Sequence, residues 1–193
     1  MTTERIAEDA DYEGVRARFQ ATLGNAQIAM QVDIGFSDVI TPAPAKIRYP
    51  SILKMPTAEL LAYNRETAIA EKFEAMVKLG ELNSRVKDFF DIALLAETFE
   101  FDGAALAAAI RATFDCRKTE LPTDPVCFSD QFAEEPTKAA QWKAFVRRSF
   151  FADVPAKFAD VVRQVRNFLQ PVALQLAINS PFDQHWSPCG PWQ

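Results

Sequence analysis

The chain is short of histidine, of cysteine, of positive charge and of long apolar runs, and each shortage removes a class of function. Histidine occurs once, at His185. A Ser-His or Cys-His triad would rest on that residue alone, and no serine or cysteine elbow surrounds it. The 3 cysteines, Cys116, Cys127 and Cys189, are odd in number and widely spaced. They supply neither a disulfide framework nor a zinc pattern, which makes a reducing cytoplasm the expected compartment. No apolar run has transmembrane length, and the acidic opening MTTERIAEDADYEG does not read as a signal peptide, so no membrane association is expected. Lys+Arg total 21 against Asp+Glu 26, a net charge of −5. That balance excludes a general nucleic-acid coat but not a local basic site. What is present is apolar material: 49% of 193 residues are hydrophobic, enough for one domain with a buried core.

Strand periodicity comes first along the chain. VRARFQATL puts Val15, Ala17, Phe19, Ala21 and Leu23 on one face and Arg16, Arg18, Gln20 and Thr22 on the other. IAMQVDIGF alternates in the same way after the turn signal GNAQ, which predicts a β-hairpin. A turn centred on Asn25 and Ala26 sets Arg18 opposite Asp33 and Gln20 opposite Gln31. Residues 1–11 read as a frayed, charged start. Residues 37–58 hold four prolines and read as an extended connector with a short edge strand at KIRYP. Helical patterns follow at about 57–63, 66–80, 85–98, 102–117, 136–150 and 155–178, with Asp102-Gly103 and Pro136 as start signals and Pro171 kinking or splitting the last. The Trp- and Pro-rich tail SPFDQHWSPCGPWQ reads as an irregular cap.

Charges inside apolar helix faces are costly unless paired or used. At 100° per residue, Lys72 shares its side with Ala68, Ile69, Ala75, Met76 and Leu79, whereas Glu71 falls with Glu74 and Lys78 on the polar, solvated side. In the next helix, with Ser84 as its expected N-cap, Asp88 and Asp91 are neighbours three residues apart amid Phe89, Phe90, Ile92 and Leu95, and Arg85 lies one turn before Asp88. If the two helices fold back across LGELNS, Lys72 reaches Asp88 or Asp91. The cluster then either fixes helix register or holds a polyanion, with Lys72 on phosphate and the aspartates aiming it or handling a proton. Asp33, near the end of its strand, is either a Mg²⁺ ligand or the partner of Arg18 across the hairpin. Arg147, Arg148, Arg163 and Arg166 form either a basic patch for RNA or solvated helix faces.

The stretch RETAIAEKFEAMVKLGELNSRVKDFFDIALLA resembles the signature of the AbiEii/AbiGii toxin family: a Glu-Lys pair, a helix and turn, then Arg, Asp and a second Asp before an apolar run. Here these are Glu71, Lys72, Arg85, Asp88 and Asp91. MQVDIGFSDVITP, KIRYPSIL, IRATFDCRKTELP, AAQWKAFVRR and HWSPCGPW extend the resemblance over roughly 12–193. It implies an α+β fold: a residual antiparallel hairpin of a nucleotidyltransferase-type sheet in 1–55, then a larger helical bundle in 56–193. It also implies nucleotide transfer from an NTP with Mg²⁺ to an acceptor such as tRNA, in a toxin with a cognate antitoxin encoded nearby and a role in abortive infection. By resemblance the catalytic set is Lys72, Arg85, Asp88 and Asp91, beside Lys87. Lys72 and Arg18 bind nucleotide and Asp33 is the remaining metal carboxylate. The family's opening Gly-Ser and paired acids are missing, since no Gly-Ser occurs in the chain and Glu8, Asp9 and Asp11 precede the hairpin without that context. The expectation is an N-terminally truncated member with weak Mg²⁺ binding and an exposed sheet edge open to self-association. The competing expectations are a non-catalytic remnant that binds an antitoxin, RNA or a completing subunit, and a purely structural helical domain.

Overall fold

Alternating apolar and polar residues build the first part of the chain as a sheet, and three- and four-residue apolar spacing builds most of the rest as helices. The computed structural model describes residues 1–6, 14–36, 38–149, 151 and 154–193. It divides into two compact units, Met1–Val39 and Ile40–Gln193, and is of the α+β class.

In the first unit β1 (Thr2–Ile6), β2 (Gly14–Leu23) and β3 (Ala26–Gly35) form an antiparallel sheet in that order. The start of the chain is therefore a strand rather than a fray. Its charge is the reason: Glu4 lies opposite Arg16 and meets Arg18 at 2.9 Å. The hairpin forms, but its register differs from the expected one by two residues. Gly24 takes φ +57°, a conformation open to glycine without a Cβ penalty, and it occupies the first turn position ahead of Asn25. Leu23 then closes on Ala26, Arg16 faces Asp33, and Arg18 faces Gln31. The apolar residues of β3, Ile28, Met30, Val32 and Ile34, are exposed. The acids Glu8, Asp9 and Asp11 lie outside the described residues.

The second unit opens with a further hairpin, β4 (Ala45–Tyr49) on β5 (Ala58–Ala62). KIRYP is a strand as expected. AELLA is a strand too and not the expected helix: its Ala, Glu and Leu favour helix locally, but a partner strand overrides propensity in so short a run. The helices are α1 (Arg65–Leu79), α2 (Val86–Thr98), α3 (Gly103–Cys116), a short α4 (Asp130–Glu134), α5 (Pro136–Arg148) and α6 (Phe158–Ala177), and β6 (Phe101–Asp102) pairs with β7 (His185–Trp186). The start of α1 is fastened from two sides. Asn64 caps it by accepting from the Thr67 amide at 2.7 Å, and Thr67 exchanges hydrogen bonds with the Thr41 backbone at 3.0 and 2.9 Å.

The core lies among α1, α2, α3 and α6. Ile69, Phe73 and Met76; Phe89, Ile92 and Ala96; Leu106 and Ile110; and Val161, Val165, Phe168 and Val172 are all buried. Each set repeats at helical spacing, and each large side chain contributes about 2 kcal/mol of burial. The tail is more ordered than an irregular cap. Trp186 donates its indole N–H to the Ala96 carbonyl at 2.7 Å, and Trp192 donates to Phe168 at 2.8 Å. Gly103 is required beneath it, because a Cβ there would lie 2.5 Å from the Gln184 oxygen. α6 runs as one element through Pro171.

Candidate functional site

Three local devices bring the helix charges together. Gly80, at φ +50°, ends α1 and donates its amide to Met76. A 3₁₀ turn over Gly80–Leu82 reverses the chain. Asn83, buried, then accepts from the Arg85 amide at 2.8 Å. Asn83 thus performs the capping expected of Ser84, and Arg85 occupies the N-cap position itself with an exposed side chain. α2 begins at Val86, so Asp88 falls in its first turn and Asp91 one turn on, both facing α1.

Lys72 Nζ donates to Asp88 Oδ1 and to Asp91 Oδ2, each at 2.8 Å. Lys87 Nζ adds a 2.6 Å contact to Asp91 Oδ2. The side chains of Lys72, Asp88 and Asp91 are 25%, 17% and 22% exposed, and Lys87 is 64% exposed. The four groups thus form a half-buried row of contacts, Asp88–Lys72–Asp91–Lys87, exposed at its Lys87 end. Burial works against the Lys72 charge, but the hydrogen bonds to Asp88 and Asp91 outweigh it and leave the ammonium pKa above its ordinary value. Lys72 is therefore a fixed cation at neutral pH and not a base. Two of its three protons are committed, to Asp88 and Asp91.

Glu71 is not on a solvated face. It is only partly exposed and lies 3.7 Å from Arg117. Glu74 departs further, being 1% exposed, with Arg117 at 2.9 Å and the Thr119 hydroxyl at 2.5 Å. This link from α1 to the segment after α3 was missed. Thr67, Ala70 and Glu74 are buried together at helical spacing.

In the first unit, Arg16 holds both oxygens of Asp33 with a guanidinium fork, Nε to Oδ1 at 2.8 Å and Nη2 to Oδ2 at 2.9 Å. That hydrogen bonding, opposed by slight desolvation, lowers the Asp33 pKa. Arg18 does not pair with Asp33. It reaches Gln31 at 3.4 Å and Glu4 at 2.9 Å. The four helix arginines stand apart from the cluster. Arg147 and Arg148 end α5, Arg163 pairs with Asp160 at 3.1 Å, and Arg166 bonds Gln170 at 2.8 Å.

A family model for the nucleotidyl transferase AbiEii toxin of type IV toxin–antitoxin systems matches residues 1–164. The chain belongs to the AbiEii family. No curated protein and no solved structure matches it. Membership makes it a relative of nucleotidyl transferase toxins, whose counterparts are an NTP and a cognate antitoxin. No helix among the described residues is long and apolar enough to cross a membrane.

Nucleotidyl transferases generally use Mg²⁺, which takes oxygen ligands at near-octahedral geometry. The donor set among the described residues of this AbiEii chain does not fit that ion. Asp33 has both oxygens in the Arg16 fork, and Asp88 and Asp91 share Lys72. Among the described residues no group of three or more His, Cys, Asp or Glu is placed to hold a metal.

Proposed function

We propose that this AbiEii chain binds the phosphates of an NTP through Lys72 and has lost most or all of its capacity to transfer the nucleotide. The observation that carries the reading is the held lysine: an ammonium fixed between two carboxylates and partly open to solvent, at the position that resembles the family's lysine. A buried ion pair adds little net stability over apolar packing, which supports a use of the charge in binding as well as in fixing helix register. Asp88 and Asp91 aim the ammonium, and Arg85, exposed at the start of α2, adds a second cation for the same phosphates. Transfer itself works by positioning and by neutralising developing charge on phosphate oxygens. With Asp33 engaged by Arg16, that neutralisation is weak, and Mg²⁺ binding is weak with it. In this reading the acceptor is an RNA such as tRNA, Arg18 lends no more than auxiliary charge to nucleotide binding, and the protein works in the cytoplasm in phage defence.

The test is nucleotide transfer. The purified chain is incubated with Mg²⁺, each labelled NTP and total tRNA, beside Lys72→Ala, and NTP binding is measured at equilibrium. The expected result is NTP binding that Lys72→Ala abolishes, with little or no label transferred. Efficient transfer by the wild type refutes the loss of activity. Absence of NTP binding by the folded wild type refutes the site.

A second reading rests on β3, whose apolar residues Ile28, Met30, Val32 and Ile34 are exposed and which, among the described residues, is an edge strand of its sheet. Such an edge invites another chain. In that reading the protein is a binding remnant that associates with an antitoxin, with RNA, with a completing subunit or with itself.

A further inference from the structure

The chain is acidic overall, yet one projecting element reverses that sign. The β4–β5 hairpin and its tip carry Lys46, Arg48 and Lys54 against the single carboxylate Glu59. All four residues are exposed. The Arg48–Glu59 pair is long, at 3.6 Å between side chains 79% and 70% exposed, so it neutralises little. Strand alternation puts Lys46 and Arg48 on one face, and their cross-strand partners Leu61 and Glu59 are on the same face. Two residues apart on a strand, the two cations are about 6.6 Å apart along the chain. Lys54 adds a third from the tip.

The position of the hairpin matters as much as its charge. Its base is fastened to the start of α1: Thr67 exchanges hydrogen bonds with the Thr41 backbone, and the Asn64 amide donates to the Pro42 carbonyl. Lys72 stands on the same helix, eight residues after the Asn64 cap, about 12 Å along its axis. The hairpin and the lysine assigned to NTP thus belong to neighbouring elements of the same unit.

We propose that the cations of the β4–β5 hairpin, Lys46, Arg48 and Lys54, bind the phosphate backbone of a single-stranded acceptor RNA. The choice of RNA rests on the nucleotidyltransferase reading above. The charge pattern itself fits any flexible polyanion of matching spacing. Exposed cations that neutralise phosphates release counterions, so affinity falls with salt, and for single strands each contact adds about 0.7 to the logarithmic slope. Three contacts give a slope contribution of about 2.

The experiment measures binding of a fluorescent single-stranded RNA oligonucleotide with a free 3′-hydroxyl, by anisotropy across a salt series, to the wild type and to the variant Lys46→Glu, Arg48→Glu, Lys54→Glu. ATP binding and a thermal melt serve as fold controls. The expected result is an affinity loss of at least about tenfold at low salt, a slope shallower by about 2, and unchanged ATP binding. An unchanged affinity and slope in the variant overturns the proposal. So does a wild type that ignores RNA and binds vesicles of anionic phospholipid, or an acidic peptide, through the same three residues. If the wild type binds no ATP but loses RNA with the triple substitution, the NTP site falls and the hairpin surface stands. If ATP binding depends on Lys72 and the triple substitution leaves RNA binding intact, the hairpin surface falls and the NTP site stands.

Discussion

Replacing Lys72 with methionine separates the two uses of its charge. Methionine keeps most of the stem packed against α1 and α2 and removes only the ammonium. The consequences for the two aspartates differ. Asp91 keeps Lys87 at 2.6 Å, whereas Asp88 loses the ammonium that holds it at 2.8 Å. A hydrogen bond to a charged group is worth about 1.5–3 kcal/mol, and the partial exposure of this cluster discounts the penalty for the orphaned carboxylate. The expected cost of Lys72→Met is therefore about 2 kcal/mol, which lowers the melting temperature by about 4–8 °C for a chain of this size.

The asymmetry gives a sharper test than the magnitude. Adding Asp88→Asn to Lys72→Met removes the orphaned charge and should recover about half of the loss, while adding Asp91→Asn should recover little, because Lys87 already answers Asp91. The sign with pH follows from the raised Lys72 pKa. The ammonium's contribution is complete below the unfolded lysine value of 10.5 and fades as pH rises through the higher folded value. The gap between wild type and Lys72→Met should accordingly close in strongly alkaline buffer. Thermal melts followed by circular dichroism, beside equilibrium ATP binding, read all of this out. Equal rescue by Asp88→Asn and Asp91→Asn would refute the geometry. A folded Lys72→Met that binds ATP as the wild type does would refute the nucleotide role and leave a register-fixing ion cluster.

Two further outcomes follow from buried groups. Glu74→Gln should cost about 2–3 kcal/mol, because it removes the buried carboxylate that meets Arg117 at 2.9 Å; the urea midpoint should fall with the slope unchanged, and a shift within about 0.5 kcal/mol of wild type would mean that the link between α1 and the segment after α3 is ornamental. Cys127 is buried and its thiol is pushed up to about 12 by desolvation, while Cys116 and Cys189 are exposed. An aromatic disulfide reagent at pH 8 should modify the two exposed thiols quickly and Cys127 only after denaturant is added, and rapid modification of all three would contradict the burial.

The parts of the fold that were legible are those where one period repeats long enough to outvote local noise. α1 and α2 announce themselves by apolar spacing, and Lys72, Asp88 and Asp91 stand out because each interrupts that spacing. Glu74 falls on the polar side of that spacing, and the residues that make its burial tolerable, Arg117 and Thr119, are 43 and 45 positions away, where no local pattern points. β5 was illegible for a different reason: five residues of helix-favouring composition carry less information than the strand they pair with. The β2–β3 hairpin lies between these cases. Its register depends on which residue accepts a positive φ, and Gly24 takes that place one position earlier than a turn on Asn25 and Ala26 requires. Because the resulting shift is two residues, every side chain stays on its expected face and only the partners change. The polar face therefore still presents an arginine to Asp33, now Arg16 in place of Arg18, and the bidentate fork follows from either register. What sets an arginine against the Asp33 carboxylate is thus the alternation of arginines along β2, Arg16 and Arg18 on one face, which holds whichever turn the chain adopts. Freeing that carboxylate would require replacing Arg16 itself, since a change of register would only bring Arg18 to the same oxygens.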